Sequence, residues 1–207
     1  LDRRGSGDVW TQTVGEYLAA SRWQKIVYRF YRHPVTMFLV GAFWVFVIGN
    51  RFTKKHMDRK GRLGVYATNA GLVVYATGMS FIFGPMEFLL IQVPVITLAG
   101  IFGFFLFYVQ HQFNPTYWSR SESWNYRKMA LEGSSYLKLP LILRYFSGNI
   151  GFHHIHHLSP MIPNYNLARC QRENTLFREV RPLTLRQSLG TLSLRLWDED
   201  SGRLISF

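Results

Sequence analysis

The chain has 207 residues, with 24 Lys+Arg against 12 Asp+Glu, a formal charge of +12 and a pI near 10.1. Alone, that balance points to nucleic acid or an anionic membrane surface. With 48% hydrophobic residues (17 Phe, 11 Tyr and 6 Trp among them) and only 17% charged, a disordered basic tail is excluded, and a single cysteine, Cys170, excludes a disulfide framework or a cysteine-ligated cluster within one chain.

The opening run Leu1-Asp2-Arg3-Arg4-Gly5-Ser6-Gly7-Asp8 is loop-like, does not start with Met and lacks the basic stub and apolar stretch of a signal peptide. It reads as the interior of a longer protein, so the expectation is an N-terminally truncated fragment. Thr13-x-x-Glu16 has capping-box spacing before Tyr17-Leu18-Ala19-Ala20 and predicts a helix running toward Tyr31 and ending at His33-Pro34. Val35–Ile48 is apolar, but its 14 residues rise only about 21 Å, short of a hydrocarbon core of about 30 Å. Both flanks are basic: Arg22, Lys25, Arg29 and Arg32 precede it, and Arg51, Lys54, Lys55, Arg59, Lys60 and Arg62 follow. The positive-inside bias therefore predicts that residues 35–48 dip into the membrane or lie in its interface without crossing.

Between Leu63 and Ser119 the only formal charge is Glu87. A stretch this long and apolar is no soluble basic domain; it reads as two membrane spans, about 63–83 and 88–110, broken at Gly84-Pro85. Tyr108, Tyr117 and Trp118 are expected as aromatic anchors at the far interface. The basic residues thus mark topology rather than a nucleic-acid partner. Residues 1–34, loop 51–62 and the tail 111–207 share one expected face, the cytosolic one. The tail after residue 165 has no clear period and reads as a cap of unassigned structure.

Five of the seven histidines lie within 47 residues: His111 at the end of the second span, then His153, His154, His156 and His157. At 100° per residue on a helix, His153, His156 and His157 fall within about 100° of arc, while His154 points elsewhere. Rings gathered on one face suit neither a core nor an ordinary solvated surface unless something coordinates them. His111 joins them as a candidate because an ionisable group at the end of a span is by default functional. His33 and His56, each beside basic residues, read as interfacial. With no useful Cys and no His-Glu-x-x-His, the usual zinc patterns are absent, and imidazole alone leaves Fe, Cu, Ni and Zn open.

The run Gly148-Asn149-Ile150-Gly151-Phe152-His153-His154-Ile155-His156-His157-Leu158-Ser159-Pro160 resembles the third histidine box, His-x-x-His-His, of the membrane fatty acid desaturases, particularly the bacterial acyl-lipid Δ12/omega-6-like enzymes. Ile162-Pro163-Asn164-Tyr165-x-Leu167 continues the likeness. Tyr108-Val109-Gln110-His111-Gln112 resembles the segment that gives a further histidine after the last span, and Asp2-Arg3-Arg4-Gly5-x-Gly7-Asp8-Val9 the stretch just beyond the second box.

The resemblance implies an all-α integral membrane protein in which residues 1–207 form the C-terminal part of a single desaturase domain, with two transmembrane helices, the short re-entrant or interfacial segment and a helical cytosolic cap. It implies a non-haem di-iron centre that uses O2 to remove hydrogen from unactivated methylenes of acyl lipid, with His111, His153, His156 and His157 as iron ligands. Asn149, taken as one helical turn before His153, is a candidate for orienting a ligand ring. It further implies an external electron donor, a ferredoxin or b-type cytochrome, and a bacterial inner membrane with the active site on the cytosolic face. The family's first two boxes are missing, and His33 and His56 cannot replace them, so the 207-residue chain alone is expected to be inactive. The alternatives are a related membrane di-iron hydroxylase or ketolase acting on carotenoid, sterol or alkane, and a non-catalytic histidine-rich metal-binding membrane protein.

Overall fold

A computed structural model describes residues 9–207. The likeness drawn on residues 2–8 therefore lies outside the described residues. The fold is mostly helical and divides into two compact units: one built from the chain through Tyr28 together with Leu106–Phe207, the other from Arg29–Phe105.

The first unit begins with strand β1 (Gln12–Thr13) and helix α1 (Val14–Ala19). The expected capping box is present: Thr13 Oγ1 accepts from Glu16 N at 3.2 Å, and Glu16 Oε2 accepts from Thr13 N at 2.8 Å. The helix does not continue to Tyr31, however. It stops at Ala20, and α2 (Arg22–Tyr31) starts afresh. The reason is a second reciprocal cap, Ser21 with Gln24, in which Gln24 N donates to Ser21 Oγ at 3.3 Å and Ser21 N to Gln24 Oε1 at 2.8 Å.

In the second unit, two short wide-turn helices, Thr36–Gly41 and Trp44–Ile48, lead into a tight turn at Gly49–Arg51. The run Thr36–Arg51 rises about 24 Å at a helical rise, below a full span. Glycines on the following apolar helix let this run approach closely: Gly100 faces Phe46 and Ala42, and Gly103 faces Phe46. Phe38 stacks edge-on against Phe104 at 5.7 Å. Arg51 is tied to Asn69 at both ends, its Nη1 donating to Asn69 Oδ1 at 3.2 Å and its carbonyl accepting from Asn69 Nδ2 at 2.9 Å.

Two long helices follow, α3 (Arg59–Phe83) and α4 (Pro85–His111), both long and apolar enough to cross a membrane. Asp58 caps α3 through Gly61 N at 2.7 Å, so the helix begins four residues before its apolar stretch. Gly84 ends it at φ 93°, a left-handed conformation in which a Cβ would collide with the Glu87 carboxylate, and Pro85 opens the next helix. Their surfaces carry exposed Val74, Phe81, Ile82 and Leu90, as lipid-facing helices do.

The rest of the chain returns to the first unit, through α5 (Tyr126–Glu132), β2 (Tyr136–Lys138), α6 (Leu141–Phe146), α7 (His153–Leu158), α8 (Asn164–Glu173), β3 (Pro182–Thr184), α9 (Leu185–Gly190), β4 (Leu196–Asp198) and β5 (Arg203–Ile205). The cap is therefore helical with two small sheets that the unperiodic tail did not announce. β1 pairs in parallel with β4 and β4 antiparallel with β5, while β2 pairs in parallel with β3. Strands of two or three residues are too short to show an alternating pattern.

The expected aromatic anchors are used differently. Tyr108 is wholly buried, and its hydroxyl lies 3.0 Å from the Leu194 carbonyl and 3.2 Å from that of Thr191. Trp118 stacks on Trp197 at 5.1 Å, and the Tyr117 hydroxyl donates to Ser123 O at 2.6 Å. Tyr108, wholly buried in the cap, cannot mark a membrane interface, while Tyr117 and Trp118, half-buried, take partners within the cap.

Candidate metal centre

Three imidazoles meet at one point in the first unit. His111 closes the last turn of α4, and His153 and His157 lie one turn apart on α7. The Nε2 atoms of His111 and His153 are 3.1 Å apart and those of His153 and His157 2.9 Å, and the trio's ligand atoms all lie within 4.8 Å of one another. Ring planes stand nearly perpendicular, at 80°, 84° and 89° for the three pairs, so edges rather than faces converge. His111 and His153 are buried, and His157 closes the solvent side.

Local sequence explains why α7 sits where it does. Ile155, fully buried, packs with Phe152, Leu167 and Phe177 in a small core. The Phe152 ring stacks on Tyr136 at 5.0 Å and lies under the Arg144 guanidinium. His154, the residue expected to point away, does so: it is fully buried, its Nε2 is 2.9 Å from Gln171 Oε1, and Gln171 Nε2 donates to Phe177 O at 3.0 Å. At the far end, the Tyr126 hydroxyl holds the His157 and Leu158 carbonyls at 2.7 and 3.0 Å. Gly151 matters just upstream, because a Cβ there would collide with the Leu137 carbonyl, while its own carbonyl accepts from Leu137 N at 2.8 Å.

The end of α4 is fixed as firmly. Ser135 Oγ donates to Val109 O at 3.1 Å, Ser135 N to Gln110 O at 3.0 Å, and Gln110 Nε2 to Ile150 O at 3.0 Å. Gln112 is buried against Thr11. None of these partners was identified from sequence. Gln110 carried one signal, a polar side chain beside a candidate ligand in a span almost free of charge.

Burial and neighbouring rings disfavour the charged form of three α7 histidines, His153, His154 and His157. Burial, reinforced by His111, His157, His156 and His154, holds His153 down to about 2, and burial followed by the nearby His156 lowers His157. Burial also lowers His154 to about 4, against the opposing hydrogen bonds to Gln171 and the Ser135 backbone. Neutral imidazole is the form that ligates a metal.

The trio fits a cation better than it fits itself. A neutral imidazole Nε2 carries either one proton or one lone pair, yet His153 Nε2 meets two other Nε2 atoms at hydrogen-bond distance. Hydrogen bonding satisfies one contact and leaves the other unmet, whereas one ion at the common point engages all three lone pairs. A metal–nitrogen bond of about 2.1 Å gives a ligand–ligand edge of about 3.0 Å at 90° and about 3.4 Å at the tetrahedral angle. The observed 3.1 and 2.9 Å match the former.

Of the four expected ligands, His111, His153 and His157 come together. His156 stands beside them, its ring nearly parallel to His153 at 5.7 Å and outside the convergent group. Asn149 is not on the helix assumed for it. It occupies a left-handed turn at φ 58°, donates through Nδ2 to Asn164 O at 3.1 Å and accepts from Arg144 Nε at 3.2 Å. Gly148 and Asn149 form the turn that precedes α7, so helical spacing to His153 does not apply. His33 and His56 are exposed in the other unit.

Comparison with known proteins gives a consistent result. The fatty acid desaturase family profile matches residues 3–186. A curated fatty acid desaturase of Bacillus subtilis (strain 168) is 48% identical over 207 residues, covering 100% of this chain and 59% of that protein. The chain thus spans about three fifths of the length of the curated relative it matches. No solved structure matches.

Proposed function

The chain belongs to the fatty acid desaturase family, and on that premise we propose that it supplies part of the metal centre of a membrane enzyme that introduces a double bond into a fatty acyl chain. The supporting observation is the convergence of His111, His153 and His157, in which one nitrogen has two neighbours that hydrogen bonding cannot satisfy together. Bound non-haem iron, two ions in this reading, supplies O2 activation and the oxidising power to remove hydrogen from unactivated methylenes.

The chain's own residues do the holding. Burial disfavours protonation of His153 and, at the solvent side, of His157, and Tyr126 fixes the end of α7 that carries His157. His154 and Gln171 lock the opposite side of the same helix, so its ligand face cannot rotate. His156 is assigned to the second ion, together with ligands other than these four. Nitrogen donors suit the task because thiolates would be oxidised under it. Removing one hydrogen from each of two neighbouring methylenes with one O2, two electrons and two protons leaves a double bond and two waters. The electrons come from an external donor, a ferredoxin or b-type cytochrome. The six basic residues of loop 51–62, against Glu87 in the first turn of α4, support a cytosolic site at a bacterial inner membrane.

The test is to express the reading frame that carries this chain in a lipid-profiled bacterial host. New double bonds in membrane acyl chains, lost in His153→Ala, and two irons per purified protein are expected. Oxygenated lipid without new double bonds would instead identify a hydroxylase or ketolase. Unchanged lipids with one zinc, copper or nickel would identify a non-catalytic metal binder; either result overturns the proposal.

A further inference from the structure

We infer that Gln110 is a positioning residue that sets the distance between the His111 and His153 ligand nitrogens; the inference rests on reading the trio as a metal site. Three backbone segments meet behind that site: the end of α4 that carries His111, the approach to β2, and the turn that leads into His153. Gln110 bonds to both of the others. Its carbonyl accepts from Ser135 N at 3.0 Å, and its side-chain amide donates to Ile150 O at 3.0 Å. The triangle closes through Leu137 N, which donates to Gly151 O at 2.8 Å.

The placement gives the amide leverage. Gln110 is the neighbour of one ligand in sequence, and its bond lands three residues before another. At 2% exposure, water does not compete for its amide. His111 and His153 are 42 residues apart in the chain, on two separate helices, and their Nε2 atoms stand 3.1 Å apart. Metal–ligand distances tolerate only about 0.2 Å. The Gln110 amide joins these two ligand-bearing segments directly and involves no ligand ring.

The experiment is Co2+ binding to the purified full chain in detergent, read by titration and by the cobalt ligand-field absorption. Wild type should take up one equivalent at the trio. Gln110→Met, nearly isosteric but unable to donate to Ile150 O, should bind about tenfold more weakly, within the range found when supports behind metal ligands are removed, and with an altered absorption band. Asn114→Ala is the control. It removes a similar side-chain clamp beyond the same helix, Nδ2 to Leu204 O at 2.8 Å, without touching either ligand-bearing segment. It should lower the melting temperature but keep the Co2+ affinity and spectrum.

If Gln110→Met binds Co2+ within twofold of wild type, or if Asn114→Ala weakens binding equally, the positioning role is overturned while the metal site stands. If wild type binds no Co2+, the metal-site reading itself fails and this inference with it. Should Gln110→Met fail to fold, Gln110→Asn, which keeps the amide but shortens its reach, is measured with the same outcomes.

Discussion

Gly151→Ala tests how the site is built without touching a ligand. A methyl group at Gly151 meets the Leu137 carbonyl well inside contact distance, with Leu139 Cδ1 3.5 Å away on another side, so it has no free direction. Strand β2 must retreat by about 1 Å to restore contact distance. That stretches the bond from Leu137 N to Gly151 O and pulls on Ser135, whose amide holds Gln110. Overpacking of this kind costs about 2 kcal/mol, and a strained buried hydrogen bond adds about 1 kcal/mol. For a chain of this size, a loss of about 3 kcal/mol lowers the melting temperature by about 6–12 °C. The assay is thermal melting by circular dichroism in detergent, alongside Co2+ titration, with Gly71→Ala as the internal comparison. Gly71 lies mid-helix in α3 with nothing within 4 Å of an added Cβ, so alanine there should be neutral or slightly stabilising. A Gly151→Ala protein that melts with wild type and binds Co2+ unchanged would refute the account of how α7 is seated.

Three further outcomes follow from the geometry. His157→Ala should abolish one-equivalent Co2+ binding, whereas His156→Ala should retain it, because His156 stands outside the convergent trio; titration of both variants separates them, and equal loss would move His156 into the group. Acid should destabilise the metal-free chain: burial holds His154 at about 4 and His153 at about 2 in the fold, while the unfolded rings titrate near 6.5. The unfolded state therefore binds protons that the folded state refuses, so stability is full above about pH 6.5 and falls as pH drops toward 4, and melting between pH 7 and 4.5 should show a shallower slope in His154→Asn. Tyr108→Phe should lower stability by about 1 kcal/mol by removing the buried hydroxyl that bonds to the Leu194 and Thr191 carbonyls, measured by melting in detergent. A membrane-interface anchor would tolerate the change.

Where the sequence was legible, a local rule acted alone. Thr13 and Glu16 cap a helix because both groups are three residues apart, and α3 and α4 stand where the charges stop and Gly84-Pro85 interrupts. The arc of His153 and His157 was readable because helical period alone sets it. What failed depended on tertiary partners. Tyr108 and Trp118 have the composition of interface anchors, but Thr191, Leu194 and Trp197, more than 75 residues away in the chain, draw them into the cap. Asn149 obeyed turn chemistry rather than helical spacing because Gly148 and Asn149 both take left-handed conformations. The strands β1 to β5 had no pattern to show, since a parallel pair such as β2 and β3 is defined by partners far apart in sequence.

The split origin of the trio bears on how the protein is made. One ring of the trio is on the last residue of an apolar helix, and the other two arrive 42 and 46 residues later in synthesis, on a helix seated by the core of Phe152, Ile155, Leu167 and Phe177. An ion that needs all three nitrogens can be captured only after α4 is complete and the following polypeptide has folded back upon its end. Metal occupancy is then a record of biogenesis. A chain that stalls at insertion, or whose cap never folds, leaves the ribosome with its histidines scattered and offers no convergent trio to a metal ion.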